Sequence, residues 1–487
     1  MKKAIVIGSG IAGIASAIRL ALKGFEVTVF EANSYPGGKL SSFILGEYRF
    51  DAGPSLFTMP QFVEELFLLA GKNPSDYFEY IKNETACHYF FEDGTFLPFK
   101  SDVNDVLTEV EATLKVSSRP LKNHFEKSKF IYDKTHEAFL EKSLHKFKTY
   151  FSKAVFKCFS NAHKLHLFST MNNVNQKALN HPKLVQIFDR FATYNGSNPY
   201  QAPGILNIIP HLEHGFGTFF PTKGMHSITE SLVQLAKDLG VKFILNQKVT
   251  EILHDKYSIL GIKIGSETIF ADIVFCNSDI RPAYKNLLPK LKIPKQVNKQ
   301  EPSSSALIFY WGMKKQFDIL DLHNIFFSEN YEKEFSHIFK EKTVYHDPTI
   351  YVHVSSKIVK NDAPENCESW FVMVNVPSNS GQDWEEIRSE TRKNILLKLN
   401  RILGEKLEDL IEVEEYLDPI RIEERTSSFA GALYGASSND RMAAFFRHPN
   451  FSKIKGLFFV GGSVHPGGGI PLCLLSAKIA TNFVKSE

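Results

Sequence analysis

Two glycine-rich stretches at opposite ends of the 487-residue chain have residue types and spacing that suit a flat, phosphorylated ligand. Near the C-terminus, Gly456-Leu457-Phe458-Phe459-Val460-Gly461-Gly462-Ser463 runs into His465-Pro466-Gly467-Gly468-Gly469-Ile470-Pro471. Glycine has no Cβ, so backbone at such a turn can come very close to a ligand. The Ala/Leu-rich run from about Leu472 reads as a helix whose free N–H groups and positive dipole end face the same place. Near the N-terminus, the β-branched run Ala4-Ile5-Val6-Ile7 leads into Gly8-Ser9-Gly10-Ile11-Ala12-Gly13, a helical run Ile14 to Leu22, and a second strand, Glu26 to Phe30, that ends in Glu31. In that setting the glycines give the tight turn, the approach to a pyrophosphate and close helix–strand packing, and the Glu31 carboxylate accepts from ribose hydroxyls. A lone G-x-G-x-x-G is weak; strand, helix, second strand and acid at this spacing predict a dinucleotide site. A glycine turn that binds nothing would leave Glu31 unexplained.

Pro36-Gly37-Gly38-Lys39 and then Asp51-Ala52-Gly53-Pro54 follow. An NAD-binding fold needs no second glycine pair at this point, whereas extended FAD would have this loop pass along its ribityl and pyrophosphate. FAD is therefore the expected cofactor, with Lys39 offering its ammonium to phosphate as a point charge. Asp51 reads as a structural partner of the Gly53-Pro54 turn. His465, beside the expected isoalloxazine, is the one candidate catalytic residue, polarising the flavin or relaying a proton; the competing reading is a turn residue bonding backbone.

The elements that must position these residues are spread along the chain. Met225 to Leu239 reads as an amphipathic helix, and Gly240 to Asn246 as a strand that Gln247–Ile252 continues. Ala271–Asn277 and the closing Leu457–Val460 are further strands. The expected fold class is α/β: a discontinuous, Rossmann-like FAD-binding domain of residues 1–75, 223–304 and 421–487, with an inserted α+β substrate domain of 76–222 and 305–420. The insert is expected to be helical first, with strands at Ser305–Trp311, Thr349–Ser355 and Trp370–Val376.

Composition narrows the partners. A net charge of +3 is too mild to suggest nucleic acid. The five cysteines are widely spaced without C-x-x-C, so neither a disulfide framework nor a metal site is expected, and a reducing, cytoplasmic setting fits. Lys2-Lys3 before an apolar run imitates a signal peptide, but Arg19 interrupts it and the glycine spacing favours the dinucleotide fold. No uninterrupted apolar run reaches transmembrane length. Phenylalanine is abundant at 42, which means either an aromatic core or an aromatic-lined apolar tunnel.

Between Glu141 and Asp189 the chain has no acidic residue while lysines recur. Wound as a helix, Lys146, Lys153, Lys157 and Lys164 share one face, and Leu144, Phe147, Phe151, Val155, Cys158, Phe159 and Ala162 the other. Such a basic amphipathic segment, near 142–172, is expected to lie on an anionic membrane surface, placing the protein peripherally on the inner face of the cell membrane.

Taken in order, Gly8-Ser9-Gly10-Ile11-Ala12-Gly13, Pro36-Gly37-Gly38-Lys39, Phe50-Asp51-Ala52-Gly53-Pro54, Phe220-Pro221-Thr222-Lys223-Gly224-Met225 and the tail Val460 to Pro471 resemble the bacterial phytoene-desaturase family of FAD-dependent carotenoid desaturases. His323-Asn324-Ile325-Phe326-Phe327-Ser328 with Tyr331 and Phe335 is also similar, and the likeness covers essentially the whole chain. Two departures stand out: Lys39 where many relatives carry Arg, and a single glycine at Gly224 where a pair is frequent. The resemblance implies a flavin site at Gly8, Gly10, Ile11, Ala12, Gly13, Glu31, Gly37, Gly38, Lys39, Gly53, Pro54, Val249, Gly461, Gly462, Gly468, Gly469 and Ile470. It implies oxidation of a carbon–carbon single bond in a carotenoid substrate, with FAD as hydride acceptor and quinone or oxygen as electron acceptor. Within the family the expected subtype forms the terminal 3,4 double bond of a hydroxylated acyclic or monocyclic carotenoid. Phytoene desaturation, non-redox isomerisation, amine oxidation and a flavin-free lipid carrier of the same fold are the alternatives.

Overall fold

Continuous burial from Ala4 to Ile7, as a strand covered on both faces requires, puts Lys3–Ile7 at the centre of a five-stranded parallel sheet, ordered Leu457–Phe459, Ile273–Cys276, Lys3–Ile7, Glu26–Phe30, Lys242–Ile244. The computed structural model describes residues 1–440 and 446–486. The helix Ile11–Ala21 is buried along nearly its whole length. Its Ile14, Ala17 and Ile18 share a core with Leu474 and Ala477 of helix Ile470–Thr481 and with Ile228 and Leu232 of helix Ser227–Asp238. Sequence distant by almost the full chain length thus meets at one helix pair.

The strand expected to continue through Gln247–Ile252 stops earlier. Asn246 takes a positive φ of 57°, and the Gln247 N–H donates to the Glu31 carbonyl at 2.8 Å. Glu251–His254 instead starts a separate three-stranded antiparallel sheet with Ile259–Ile264 and Glu267–Phe270.

The second large sheet has seven strands, ordered Ile411–Leu417, Ser305–Met313, Glu368–Val376, Ile350–Val354, His323–Phe326, Thr85–Phe90, Phe96–Lys100. Period-two alternation gives it two faces. Leu307, Phe309, Trp311, Val372 and Val374 pack against Ile395, Leu396 and Leu399 of helix Trp384–Leu403. Ala306, Ile308, Tyr310 and Phe371 point the other way, beside Tyr48 and Phe50. The last two strands of this sheet lie in the stretch expected to be helical. They form a hairpin at Asp93-Gly94, where Gly94 has φ +81° and the Phe91 N–H donates to Thr95. Asp-Gly between aromatic runs is a hairpin signal that the helical reading passed over.

The basic segment is not one helix. It breaks into a 3₁₀ turn at Phe147–Phe151, a short helix Lys153–Phe159 capped by Ser152, and a second 3₁₀ turn at Ala162–Lys164. Once the helical phase is lost, the predicted apolar face divides. Leu144, Val155 and Cys158 turn inward, the last two in a cluster with Ile131, Ala138 and Leu165, while Phe147, Phe151 and Phe159 stay in solvent among the lysines. Lys146 leaves the basic face to sit 3.8 Å from the ring centroid of Phe451. Among the described residues, no helix is long and apolar enough to cross a membrane, and no cluster of metal-ligating side chains occurs.

Asp51 ties the two sheets together. Its carboxylate accepts from the backbone N–H groups of Met225 (2.8 Å) and His226 (3.0 Å), at the start of helix Ser227–Asp238, and from Arg49 at 2.9 Å. Arg49 reaches on to the buried Asp362, which also accepts from Ser355. Replacing Asp51 by Ala leaves the buried Met225 N–H and the partly buried His226 N–H without this partner, so urea unfolding is expected to show a loss of about 2–4 kcal/mol.

Candidate functional site

The glycine motifs from both ends of the chain converge on one cavity of about 1010 Å³. That volume lies at the upper end of the range for a single small-molecule pocket, leaving room beyond one ligand. The first two loops touch: Gly10 and Gly37 form a bridge, and the Gly37 N–H donates to the Ser9 carbonyl at 2.9 Å. A Cβ on Gly53 would sit 1.8 Å from the Lys39 carbonyl oxygen, and one on Gly462 would sit 3.1 Å from the Cα of Gly468. Helices Ile11–Ala21 and Ile470–Thr481 both start at this cavity, which Gly10 and Gly469 line. Their unpaired first-turn N–H groups make it a site for an anion.

Gly8, Gly10, Ile11, Ala12, Glu31, Gly37, Gly38, Lys39, Gly53, Pro54, Val249, Gly461, Gly462, Gly468, Gly469 and Ile470 all line it. Gly13 does not; its missing side chain admits the Gly8 carbonyl, 2.1 Å from where a Cβ would be. Glu31 is held by the N–H and hydroxyl of Ser9, both at 2.7 Å, and by the Asn33 N–H at 2.9 Å, which aims the carboxylate before any ligand arrives. Lys39 differs from its expected role as a free point charge. Its ammonium donates to the carbonyls of Ala432 (3.1 Å) and Leu433 (2.7 Å), and burial pushes its pKa down to about 8. A desolvated cation binds the nearest acceptors available, and here those are backbone.

His465 is also corrected. It does not line the cavity; its Nε2 donates to the Lys142 carbonyl at 2.8 Å, and burial pushes it to about 4, so it is neutral near pH 7. Its geometry is that of a turn residue bonding backbone, anchoring the segment after residue 141 to the flavin-side loop.

Two cavity residues carry no sequence signal of their own. The Asn277 carboxamide oxygen accepts from the N–H groups of Gly10 (3.2 Å) and Gly13 (3.3 Å). Arg447, almost fully buried, donates to the carbonyls of Tyr434 (2.9 Å), Gly462 (3.1 Å) and Ala436 (2.8 Å) and to Asn195 Oδ1 (3.2 Å). It fixes the loop that carries Gly462.

Beyond the glycine cradle the cavity runs over the open face of the seven-stranded sheet. Strand register places Tyr89, Ile325, Tyr351, Met373, Ile308 and Leu417 in one row across six strands. At about 4.8 Å between strands this row is roughly 24 Å long. All but Tyr89 line the cavity, with Leu140, Leu206, Ile208, Ile209 and Leu212 opposite. Tyr351 joins the row to the cradle, its hydroxyl 2.7 Å from Ser55 Oγ and 2.8 Å from His323 Nδ1. Little of the phenylalanine excess lines this cavity: Phe30 and Phe371 are the only phenylalanines among the described lining residues, and its other rings are tyrosines such as Tyr194, Tyr331, Tyr351 and Tyr434. Many of the other phenylalanines pack in cores, as in the stacked pair Phe90–Phe326 at 4.5 Å, and several, Phe147 and Phe151 among them, are exposed.

Comparison with known proteins agrees with this geometry. Residues 11–484 match the family described as flavin containing amine oxidoreductase. A 1-hydroxycarotenoid 3,4-desaturase of Flavobacterium sp. (strain P99-3) is 52% identical over 99% of each chain. A 4,4'-diapolycopene oxygenase of Methylomonas sp. is 31% identical over all of this chain and 98% of its own, and a phytoene desaturase of Fusarium fujikuroi is 31% identical over all of this chain and 90% of its own. Among solved structures, an oxidoreductase from Methanosarcina mazei superposes with a TM-score of 0.66 at 16% identity, covering 99% of this chain and 100% of its own. A cyclohexylamine oxidase from Brevibacterium oxydans gives 0.64 at 16%, covering 99% and 98%. These two speak for the fold alone.

Gly53→Ala is expected to purify with less than about a tenth of the parent's flavin absorbance per protein, because the new methyl collides with rigid backbone. His465→Asn tests the anchoring role through pH. The unfolded chain binds the His465 proton at about pH 6.5 but the folded one only near 4, so this residue's contribution is intact above pH 6.5 and lost as pH falls toward 4. Urea midpoints should show the variant's pH dependence flatter in that window by up to about 1.4 kcal/mol per pH unit, with the flavin retained.

Proposed function

The chain belongs to the flavin-containing amine oxidoreductase family, and within it we propose a carotenoid desaturase that uses FAD to form the terminal 3,4 double bond of a hydroxylated carotenoid. The observation that carries this reading is continuity. The glycine cradle and the apolar row across the sheet are one cavity, so a dinucleotide and a long rod can meet in it. The relatives named above support the polyene substrate, and the Glu31 carboxylate and paired glycine loops support FAD.

The cradle residues fit this cofactor. Glu31 would take the ribose hydroxyls, the two helix starts the pyrophosphate, and Gly53-Pro54 the ribityl chain. FAD bound there supplies a hydride acceptor. Desaturation removes two hydrogens from adjacent carbons, one as hydride and one as a proton released to solvent, and the conjugated chain spreads the positive charge. The two electrons leave to a quinone, giving quinol, or to dioxygen, giving peroxide. For this the protein needs orientation and dryness rather than a triad of acid and base. Ile308, Met373 and Ile325 hold the rod across the strands, and Leu206, Ile209 and Leu212 keep water out.

An apolar substrate of this length resides in lipid, and the protein surface is suited to reach it. Phe147, Phe151, Phe156, Phe159 and Phe168 are each between 66 and 80% exposed, and Lys148, Lys153, Lys157 and Lys164 lie among them. Such a surface would rest peripherally on an anionic bilayer, the rings in the acyl boundary and the ammonium groups on the headgroups. Leu140, which lines the cavity, lies just before this segment in the chain, which supports entry of the substrate from that side.

Expression in a host that makes hydroxylated and plain carotenoids is expected to yield a red-shifted pigment two hydrogens lighter than one hydroxylated precursor. Isomers of unchanged mass would overturn the desaturase reading. The flavin released on heating should have the mass of FAD. In flotation with vesicles containing anionic lipid, the parent should rise with the bilayer, and Phe151→Asp combined with Phe156→Asp should reduce that fraction at least about fivefold.

A further inference from the structure

The apolar row ends at Tyr89, and there the cavity wall changes character. Arg190 is buried with its Nη2 donating to Tyr89 Oη at 2.8 Å and its Nη1 to Tyr194 Oη at 3.0 Å. Tyr194 donates in turn to Glu213, whose Oε1 lies 3.6 Å from Arg190 Nη2 and has no hydrogen-bond partner. A desolvated ion pair costs stability unless its geometry and hydrogen bonds are complete, and this one is incomplete. Arg190 and Tyr194 both line the cavity, and so does Tyr331. The Tyr331 ring is wedged edge-on against Phe327 (5.8 Å between centroids) and Phe335 (4.9 Å). Among the described residues its hydroxyl has no hydrogen-bond partner, yet it is not sealed in the core either. A phenol held rigidly and left open to an apolar cavity is available to a ligand's polar group.

The position of this polar end matters as much as its chemistry. Arg190 opens the 3₁₀ helix Arg190–Asn195, and Asn195 at its other end is bonded to Arg447, which holds Gly462 of the flavin-side loop. At about 2 Å of rise per residue the helix spans roughly 10 Å. The row of apolar residues cannot by itself choose among the similar bonds of a polyene, because sliding the rod by one repeat changes its contacts little. A fixed polar stop at one end can choose, since in a 1-hydroxy end group a single carbon separates the alcohol carbon from the C3–C4 bond.

We propose that Tyr331, backed by the Arg190–Tyr194–Glu213 cluster, is an end stop that hydrogen-bonds the substrate's terminal alcohol, selecting hydroxylated end groups and setting which bond faces the flavin. Tyr331 makes the contact; Arg190 is a positioning residue that fixes Tyr194 and Tyr89 around it. The inference rests on the carotenoid reading above and deepens it.

The test uses purified, flavin-loaded protein and two synthetic substrates, an acyclic carotenoid with a 1-hydroxyl group and the same polyene with hydrogen in its place. The parent is expected to prefer the hydroxylated substrate at least about tenfold in kcat/KM and to oxidise it at the 3,4 bond. Tyr331→Phe removes only an oxygen that no protein group uses, so its flavin spectrum and content report an intact fold. In this variant the preference should fall at least about tenfold, and products oxidised at other positions should appear. A parent that desaturates both substrates equally overturns the end stop and leaves the desaturase reading standing. So does a variant that keeps both the preference and the 3,4 product. Loaded protein that desaturates neither substrate overturns both.

Discussion

At Gly13 and Gly53 the chain passes so close to another part of its own backbone that a single methyl group would strike a carbonyl, and at Gly462 it would crowd the Cα of Gly468. These approaches are local, Gly13 to Gly8, Gly53 to Lys39 and Gly462 to Gly468, and they fold the turns from which the ligand cradle is built. The five-stranded sheet, the paired helices Ile11–Ala21 and Ile470–Thr481 and the Asn277 bridge to Gly10 and Gly13 all presuppose that spacing. Steric exclusion of Cβ is local and absolute, which explains why it is written so plainly in residue type.

The cradle was legible in the sequence for that reason. Gly8, Gly10, Gly37, Gly53, Gly468 and Glu31 declare their roles by identity and by distance from a neighbouring strand or helix. Arg447 and Asn277 do not, because their partners are backbone atoms brought close only by the finished fold. The hairpin Thr85–Phe90 and Phe96–Lys100 was missed for a related reason. Its strands complete a sheet whose other members begin more than two hundred residues later, so no local alternation of polar and apolar residues marks a solvent face. For the Lys-rich segment only the single helix is overturned. A helical wheel assumes unbroken phase, and a cap at Ser152 and two 3₁₀ turns remove it, so the apolar face divides: Val155 and Cys158 turn inward while the rings stay exposed.

Charge follows the same division between what is local and what the fold imposes. Lys39 and Arg447 are both cations, both buried beside the cradle, and both spend their hydrogens on main-chain carbonyls of the 432–436 stretch and its neighbour Gly462. Desolvation lowers the pKa of each, to about 8 and about 10 respectively. Their contribution is to make that loop rigid against the cradle, while the helix starts supply the field that an anion would feel.

The cradle's composition also fixes what its pieces can do apart. Gly8, Gly10 and Glu31 form one wall, and Gly461, Gly468 and helix Ile470–Thr481 another, so neither set alone encloses a ligand. Strand Leu457–Phe459 sits at the edge of the same sheet that Lys3–Ile7 centres, so the two walls are built on one frame. A cut anywhere between them leaves both halves of the pocket present but joined only by packing, and holding the ligand then depends on the sheet and the helix pair staying together.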